Sequence, residues 1–184
     1  MGANAGLYGG AITTYLPDGF LDASLLREVP DTQEVYVNSR QDDESYDDGL
    51  GKNESVVIDL LERVDAGDDF EALKEHVMEI ASFDSSSDVK FARLEQLADN
   101  QQACVVVESV NKWGKRELNE TVVLCVGLIR LADVATDVVI TVHVPWSQNE
   151  PFAGQELPAP IAAAYRLLLR MVSEFKVVDK SLFV

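Results

Sequence analysis

Apolar side chains recur along this 184-residue chain with two different periods, and each period predicts its own elements. Val35 and Val37 alternate with Glu34, Tyr36 and Asn38, the two-residue repeat of a half-buried strand. After Asn53, offered as an N-cap, the positions Val56, Val57, Leu60, Leu61 and Val64 predict one face of an amphipathic helix. Asp68-Asp69 opens a second predicted helix, striped by Phe70, Leu73, Val77 and Ile80. Acidic side chains in that first turn suit the positive end of the helix dipole. The Ser- and Asp-rich residues 82–90 predict a loop, and 91–100 a further short helix.

The second half changes character. Ala103–Val110, Thr121–Leu131 and Asp137–Val144 are β-branched runs of strand type. The loop Asn111–Asn119 and a turn near Ala135-Thr136 make them consecutive antiparallel neighbours. A run as apolar as Val122–Leu131 predicts a central strand covered on both faces. A last helix starts near Pro158 or Pro160, with Ile161, Ala164, Tyr165, Leu168, Met171, Val172 and Phe175 on one broad stripe. That stripe has to dock on the sheet, since so much apolar area is costly in water. The pattern is that of an α+β fold with an antiparallel sheet, read as one domain over residues 1–184.

Charge then narrows the partners. Residues 1–100 hold 23 Asp and Glu against 7 Lys and Arg, while 101–184 hold 9 against 8, within a net charge of −17. An acidic half on an otherwise ordinary globular composition points to a basic protein partner and argues against nucleic acid or anionic lipid. No secretory pattern opens the chain and no apolar run has the length of a membrane span, so an intracellular protein without membrane contact is expected. Cys104 and Cys125 lie in apolar runs and read as buried free thiols, although their symmetry about Trp113-Gly114 would also let them face each other across a hairpin.

Catalytic signatures are missing. Gly51-Lys52-Asn53 lacks the upstream glycine and the hydroxyl residue of a phosphate-binding loop. His76 and His143 have no metal-ligand spacing to either cysteine and read as structural or surface imidazoles. Asp43, Ser45, Asp47 and Glu54 fall at four ligand positions of a calcium loop, but its glycine comes one residue late, at Gly49. A solvated acidic loop is the expectation, with no metal, no cofactor and no catalytic residue. Ser55, Asp59 and Glu62 share the polar stripe of the helix predicted after Asn53. Asp22, Arg27, Glu28, Asp31 and Glu34 crowd the segment around Pro30, either as solvated charge or as the rim of an interaction surface.

These residues carry a resemblance. YGGAITT (8–14), FLDASLLREVPDTQEVYVN (20–38), NESVVIDLLERVD (53–65), NKWGK (111–115), TVVLCVGLIRL (121–131), TDVVITVHVP (136–145) and FKVVDKSLFV (175–184) are collinear with the Mog-type Ran-binding nuclear-import factors, also called Ran guanine-nucleotide release factors. Residues 66–102 and 146–160 match poorly. The resemblance implies a sandwich with a mainly antiparallel sheet of about six strands, flanked by helices on both faces and similar to the PsbP proteins of photosystems. It also implies a regulator of the small GTPase Ran, not an enzyme, that promotes release of bound guanine nucleotide in nuclear protein import. Ran is the implied partner, with other Ran regulators as further candidates, a monomer as the expected state, and the nucleus, with the cytoplasm as well, as the location. By position, the implied Ran-binding carboxylates are Asp59 and Glu62, with Asp22, Asp31 and Glu34 as weaker carry-overs. Two readings stand beside it: an acidic adaptor for another basic protein, and a small-ligand-binding or enzymatic α+β sandwich.

Overall fold

The computed structural model describes residues 2–84, 86–111, 119–146 and 156–183. In chain order the strands are β1 (Ala3–Leu7), β2 (Ile12–Leu16), β3 (Phe20–Asp22), β4 (Gln33–Asn38) and β5 (Ser55–Glu62). Helix α1 (Asp69–Phe83) follows, then β6 (Ser86–Ala98), β7 (Gln101–Asn111), β8 (Asn119–Leu131), β9 (Thr136–Trp146), α2 (Ala159–Glu174) and β10 (Lys176–Val177). Seven strands form the main antiparallel sheet in the order β3-β4-β5-β9-β8-β7-β6, and β1-β2-β10 form a second, three-stranded sheet. The expected six-stranded sheet is therefore corrected to seven strands plus three.

Side-chain alternation sends the two faces of the main sheet into two cores. Val123, Cys125 and Ile129 of β8 join Val56 and Ile58 of β5, with Leu168, Met171 and Val172 of α2 above them. Leu124, Val126 and Leu128 point the other way, towards Ala72, Leu73 and Val77 of α1. Helices on both faces are as the resemblance implied, and a β8 buried on both is as its apolar run predicted. The small sheet shares α2's layer, and Thr14 Oγ1 of β2 donates to the Met171 carbonyl at 2.6 Å. Gly127 lets α2 approach closely: a Cβ there would stand 2.7 Å from Val172 Cγ2.

Two predicted helices are strands. Residues 55–62 pair with β4 on one side and β9 on the other, and Asn53 caps nothing helical. An eight-residue run that is apolar at 56, 57, 58, 60 and 61 suits a central strand, with Val56 and Ile58 buried on one face and Val57 and Leu61 half-buried on the other, and pairing along both edges outweighs the helical reading of the same spacing. Residues 86–98 are the edge strand β6, so the loop predicted over 82–90 and the short helix over 91–100 are both corrected. Its register against β7 slips between Ser86 and Asp88, Phe91 and Arg93, and Gln96 and Ala98. Each bulge shifts the phase of the alternation, which leaves Phe91, Leu94 and Leu97 three residues apart and imitates a helix. At the opposite edge β3 is only three residues long and ends in a 3-10 turn. Most of the loop predicted at Asn111–Asn119 lies outside the described residues.

The cysteines do not meet. Cys104 pairs with Val126, and Val105 with Cys125, so the two thiols point to opposite faces. Both are fully buried. The acidic loop is held by Arg40, whose guanidinium grips Asp48 at 2.8 and 2.5 Å, donates to the Asp18 carbonyl and lies 3.8 Å over the Tyr46 ring. Glu54, the last residue of the calcium-like spacing, is buried, accepting from the Gly51 N–H and the Asn38 amide.

Candidate functional site

Strand β5 outlasts its neighbour. The last β4–β5 rung is Gln33 opposite Asp59, after which Leu60 N–H donates to the Thr32 carbonyl at 3.0 Å. Leu60, Leu61 and Glu62 continue against Val138, Asp137 and Thr136 of β9 alone. The result is a notch in the sheet where both faces of β5 come within reach of one partner.

Because β5 is a strand, the supposed polar stripe splits. Asp59 stands on the α1 face and Glu62 on the α2 face, since side chains three residues apart on a strand point oppositely. Glu62 is exposed and lines a groove with Asp31, Leu60, Thr136, Leu182 and Phe183. Asp59 is half-buried, and burial raises its pKa above the usual carboxylate value. A hydrogen bond from Gln33 and the nearby His76 oppose that rise, while Glu79 adds to it.

The weaker carry-overs are placed less uniformly. Asp31 is exposed in the loop before β4 and joins Glu62 in the groove. Glu34 is committed internally, accepting from the Tyr8 N–H at 2.6 Å and the Tyr36 hydroxyl at 3.3 Å. Asp22 caps the turn after β3, accepting from Ser24 N–H at 2.8 Å, and sits opposite Tyr36. Two tyrosines thus run between the acids. Tyr8 OH lies 2.9 Å from both the Thr32 and Ile58 carbonyls. Burial first, and then Asp59 and Glu34, push its pKa far up. Tyr36 is raised by burial and then by Glu34 and Asp22. Both phenols stay protonated and give the corner uncharged donors among carboxylates.

Behind the notch lies a polar network that spacing did not reveal. Arg130 Nε and His76 Nε2 hold the two oxygens of Asp137 at 3.0 and 2.8 Å, and Arg130 Nη1 reaches Asp69 at 3.0 Å. Burial alone would raise the Asp137 pKa, but His76, the Val64 N–H and Arg130 bring it below the usual value. The signal available was Arg130 and Asp137 flanking the turn between two apolar strands, where a charge has to find a partner.

The sequence profile of the family described as Ran-interacting Mog1 protein matches residues 5–145. This chain belongs to the Ran-interacting Mog1 family. It is 50% identical over 182 residues to the nuclear import protein MOG1 of Saccharomyces cerevisiae, covering 96% of this chain and 83% of that one. The nuclear import protein mog1 of Schizosaccharomyces pombe is 29% identical over 199 residues, covering 96% and 98%. The Ran guanine nucleotide release factor of Homo sapiens is 26% identical over 186 residues, covering 96% and 94%. The crystal structure of the S. cerevisiae Ran-binding protein Mog1p superposes with a TM-score of 0.90 at 48% identity, covering 100% of this chain and 99% of that one. As a Mog1-family protein, the chain carries its candidate carboxylates on the sheet notch and not on a helix.

Proposed function

We propose that this Mog1-family protein binds the small GTPase Ran and promotes release of its guanine nucleotide in support of nuclear protein import. The observation that carries the reading is the notch at the end of β4, where exposed Glu62 and Asp31 and half-buried Asp59 flank one sheet corner in a member of a Ran-interacting family. Glu62 and Asp31 meet basic side chains of Ran directly, and Asp59 meets one that reaches round the corner. Glu34 supports from behind by accepting from Tyr8 and Tyr36, and Asp22 by capping the turn after β3. The nuclear-import names of the relatives favour action in the nucleus, with the cytoplasm second.

A GTPase holds its nucleotide through Mg²⁺, a lysine and backbone donors around the phosphates. A regulator without a nucleotide site of its own can act by binding the nucleotide-poor conformation more tightly. Each tenfold preference for that state takes about 1.4 kcal/mol from nucleotide affinity by linkage. Opposite charges at the notch and on Ran would steer the encounter and be screened as salt rises.

The test is stopped-flow release of a fluorescent guanine nucleotide from Ran with added full-length protein. The wild-type chain should accelerate release, and the paired reversal Asp31→Lys and Glu62→Lys should abolish the acceleration while the fold survives. Acceleration untouched by the double reversal removes the notch from the reading. No acceleration by the wild type removes the reading itself.

A further inference from the structure

The chain crosses the molecule once more after α2. Strand β10 pairs with β2, Lys176 opposite Thr13 and Val177 opposite Ile12. The Val178 and Asp179 N–H groups then donate to the Ala11 carbonyl at 2.8 and 3.1 Å. A 3-10 turn, Lys180–Phe183, follows. The Asp179 carboxylate accepts from the Ser181 N–H at 2.9 Å, and Lys180 Nζ meets Asp133 in the turn between β8 and β9 at 2.6 Å. So anchored, the segment sets Leu182 and Phe183 beside Leu60 and Glu62 at the notch, where β5 runs on without β4.

Leu182 and Phe183 are half-buried: they pack against the main core and also line the groove. Leu60 is half-buried beside them, while Asp31 and Glu62 stand exposed in the same lining. No described residue lining the groove is basic, and Lys180 is already engaged by Asp133. The groove holds about 390 Å³. One turn of helix, about 5.4 Å long and 10–12 Å across with its side chains, would fill that space, whereas a single long side chain fits within it. An exposed ion pair contributes little by itself. A lysine or arginine gains more where its alkyl stem lies on apolar surface and its charged head stays in water among carboxylates. An anion would be repelled by Asp31 and Glu62, and a purely apolar side chain would take both carboxylates into an interface unpaired.

We propose that the turn after β10 belongs to the Ran-binding surface, with Leu60, Leu182 and Phe183 seating the alkyl stem of one lysine or arginine of Ran whose charged head pairs with Asp31 and Glu62. The inference rests on the Ran reading. It adds to that reading an apolar wall of the site, supplied by a segment far from β5 in sequence and held there by its own anchors.

Titration calorimetry of the full-length protein with nucleotide-free Ran tests this. Leu182→Ala and Phe183→Ala should each weaken binding about fivefold or more while the variants stay folded by circular dichroism. Leu94→Ala, at an apolar position 42% exposed on the far edge strand β6, should bind as the wild type does. An equal loss there overturns the proposal. Head and stem of one side chain are coupled, so Phe183→Ala combined with Glu62→Gln should lose about threefold less than the product of the two single losses. A full product assigns the two contacts to different side chains and overturns the occupant. Should the Leu182 and Phe183 variants fold poorly, methyl-labelled wild-type protein decides. Nuclear Overhauser contacts should then join the Leu60 and Leu182 methyl groups to side-chain methylenes of a lysine or arginine of Ran. Contacts from apolar residues of Ran alone, or none, overturn it. Wild-type protein that binds no Ran fails the functional reading and this inference together, whereas Ran binding indifferent to Leu182 and Phe183 fails this inference alone.

Discussion

Asp59 and Glu62, three residues apart on β5, stand on opposite faces of the main sheet, one half-buried beside α1 and the other exposed in the groove with Asp31. Their substitutions should therefore separate binding from stability. Glu62→Lys should weaken Ran association tenfold or more with stability changed by less than about 0.5 kcal/mol, as for surface positions generally. Asp59→Asn should weaken Ran binding but raise the melting temperature at neutral pH. The raised pKa of Asp59 means that its contribution to stability is lost as pH rises through the folded value, and the amide does not ionise. Titration calorimetry with Ran and thermal melts of both variants check the split, and equal melting temperatures for Asp59→Asn and wild type would refute the second half.

The Arg130–Asp137–His76 network should dominate local stability at the base of α1. Asp137 is fully buried and Arg130 5% exposed, so Asp137→Asn removes the buried charge partner of the guanidinium and leaves it only the more exposed Asp69. Breaking a buried pair in this way costs about 3–5 kcal/mol. Because the folded pKa of Asp137 is depressed, its contribution is present above the usual carboxylate value and lost as pH falls through the lower folded one. Urea unfolding of wild type and Asp137→Asn from pH 7 down to pH 2 should show the two curves converging in acid.

Glu108 predicts the opposite slope. It is fully buried on β7, and its pKa is pushed from 4.5 up to about 7 by burial and then by Asp84, with the nearby Ser86 hydroxyl pulling the other way. Its contribution is complete below pH 4.5 and is lost as pH rises towards 7 and beyond. Glu108→Gln should flatten the decline in stability between pH 5 and pH 8 that the wild type shows. A wild-type stability that rises steadily across that window, with the variant parallel to it, would contradict the assignment.

Gly127 marks a close approach of α2 to β8. An alanine Cβ would meet Val172 Cγ2 at 2.7 Å and Leu168 Cδ1 at 3.2 Å. Gly127→Ala should destabilise by about 1–3 kcal/mol through overpacking, visible as a lower urea midpoint. Val172→Ala in the same chain should recover part of the loss, because the clashing methyl is removed.

Legibility in the sequence followed the physics of each segment. The strands β7, β8 and β9 and the helices α1 and α2 were readable because long runs with a clean period have few alternatives, and Asp68 does cap α1 by accepting from Glu71 N–H at 2.8 Å. β5 hides its period because it is apolar on both faces, one buried and one half-buried, so its residues show no clean alternation. β6 was misread because its bulges erase one. Asp59 and Glu62 were named through family resemblance, and their placement on opposite faces became visible only once the helix became a strand. The apolar wall of the groove was not legible at all, since Leu60, Leu182 and Phe183 come together through strand register and the path of the chain after α2, neither of which leaves a mark in local spacing.

The two outer strands of the main sheet carry a last implication. β3 stops after three residues, and β6 is interrupted by three register slips and studded with Asp88, Lys90, Arg93 and Glu95. Neither presents a straight ladder of free amides onto which another molecule could zip. Concentrated, gently warmed solutions of the folded protein should therefore show no fibril growth from the main sheet, because neither of its margins is flat enough to begin one.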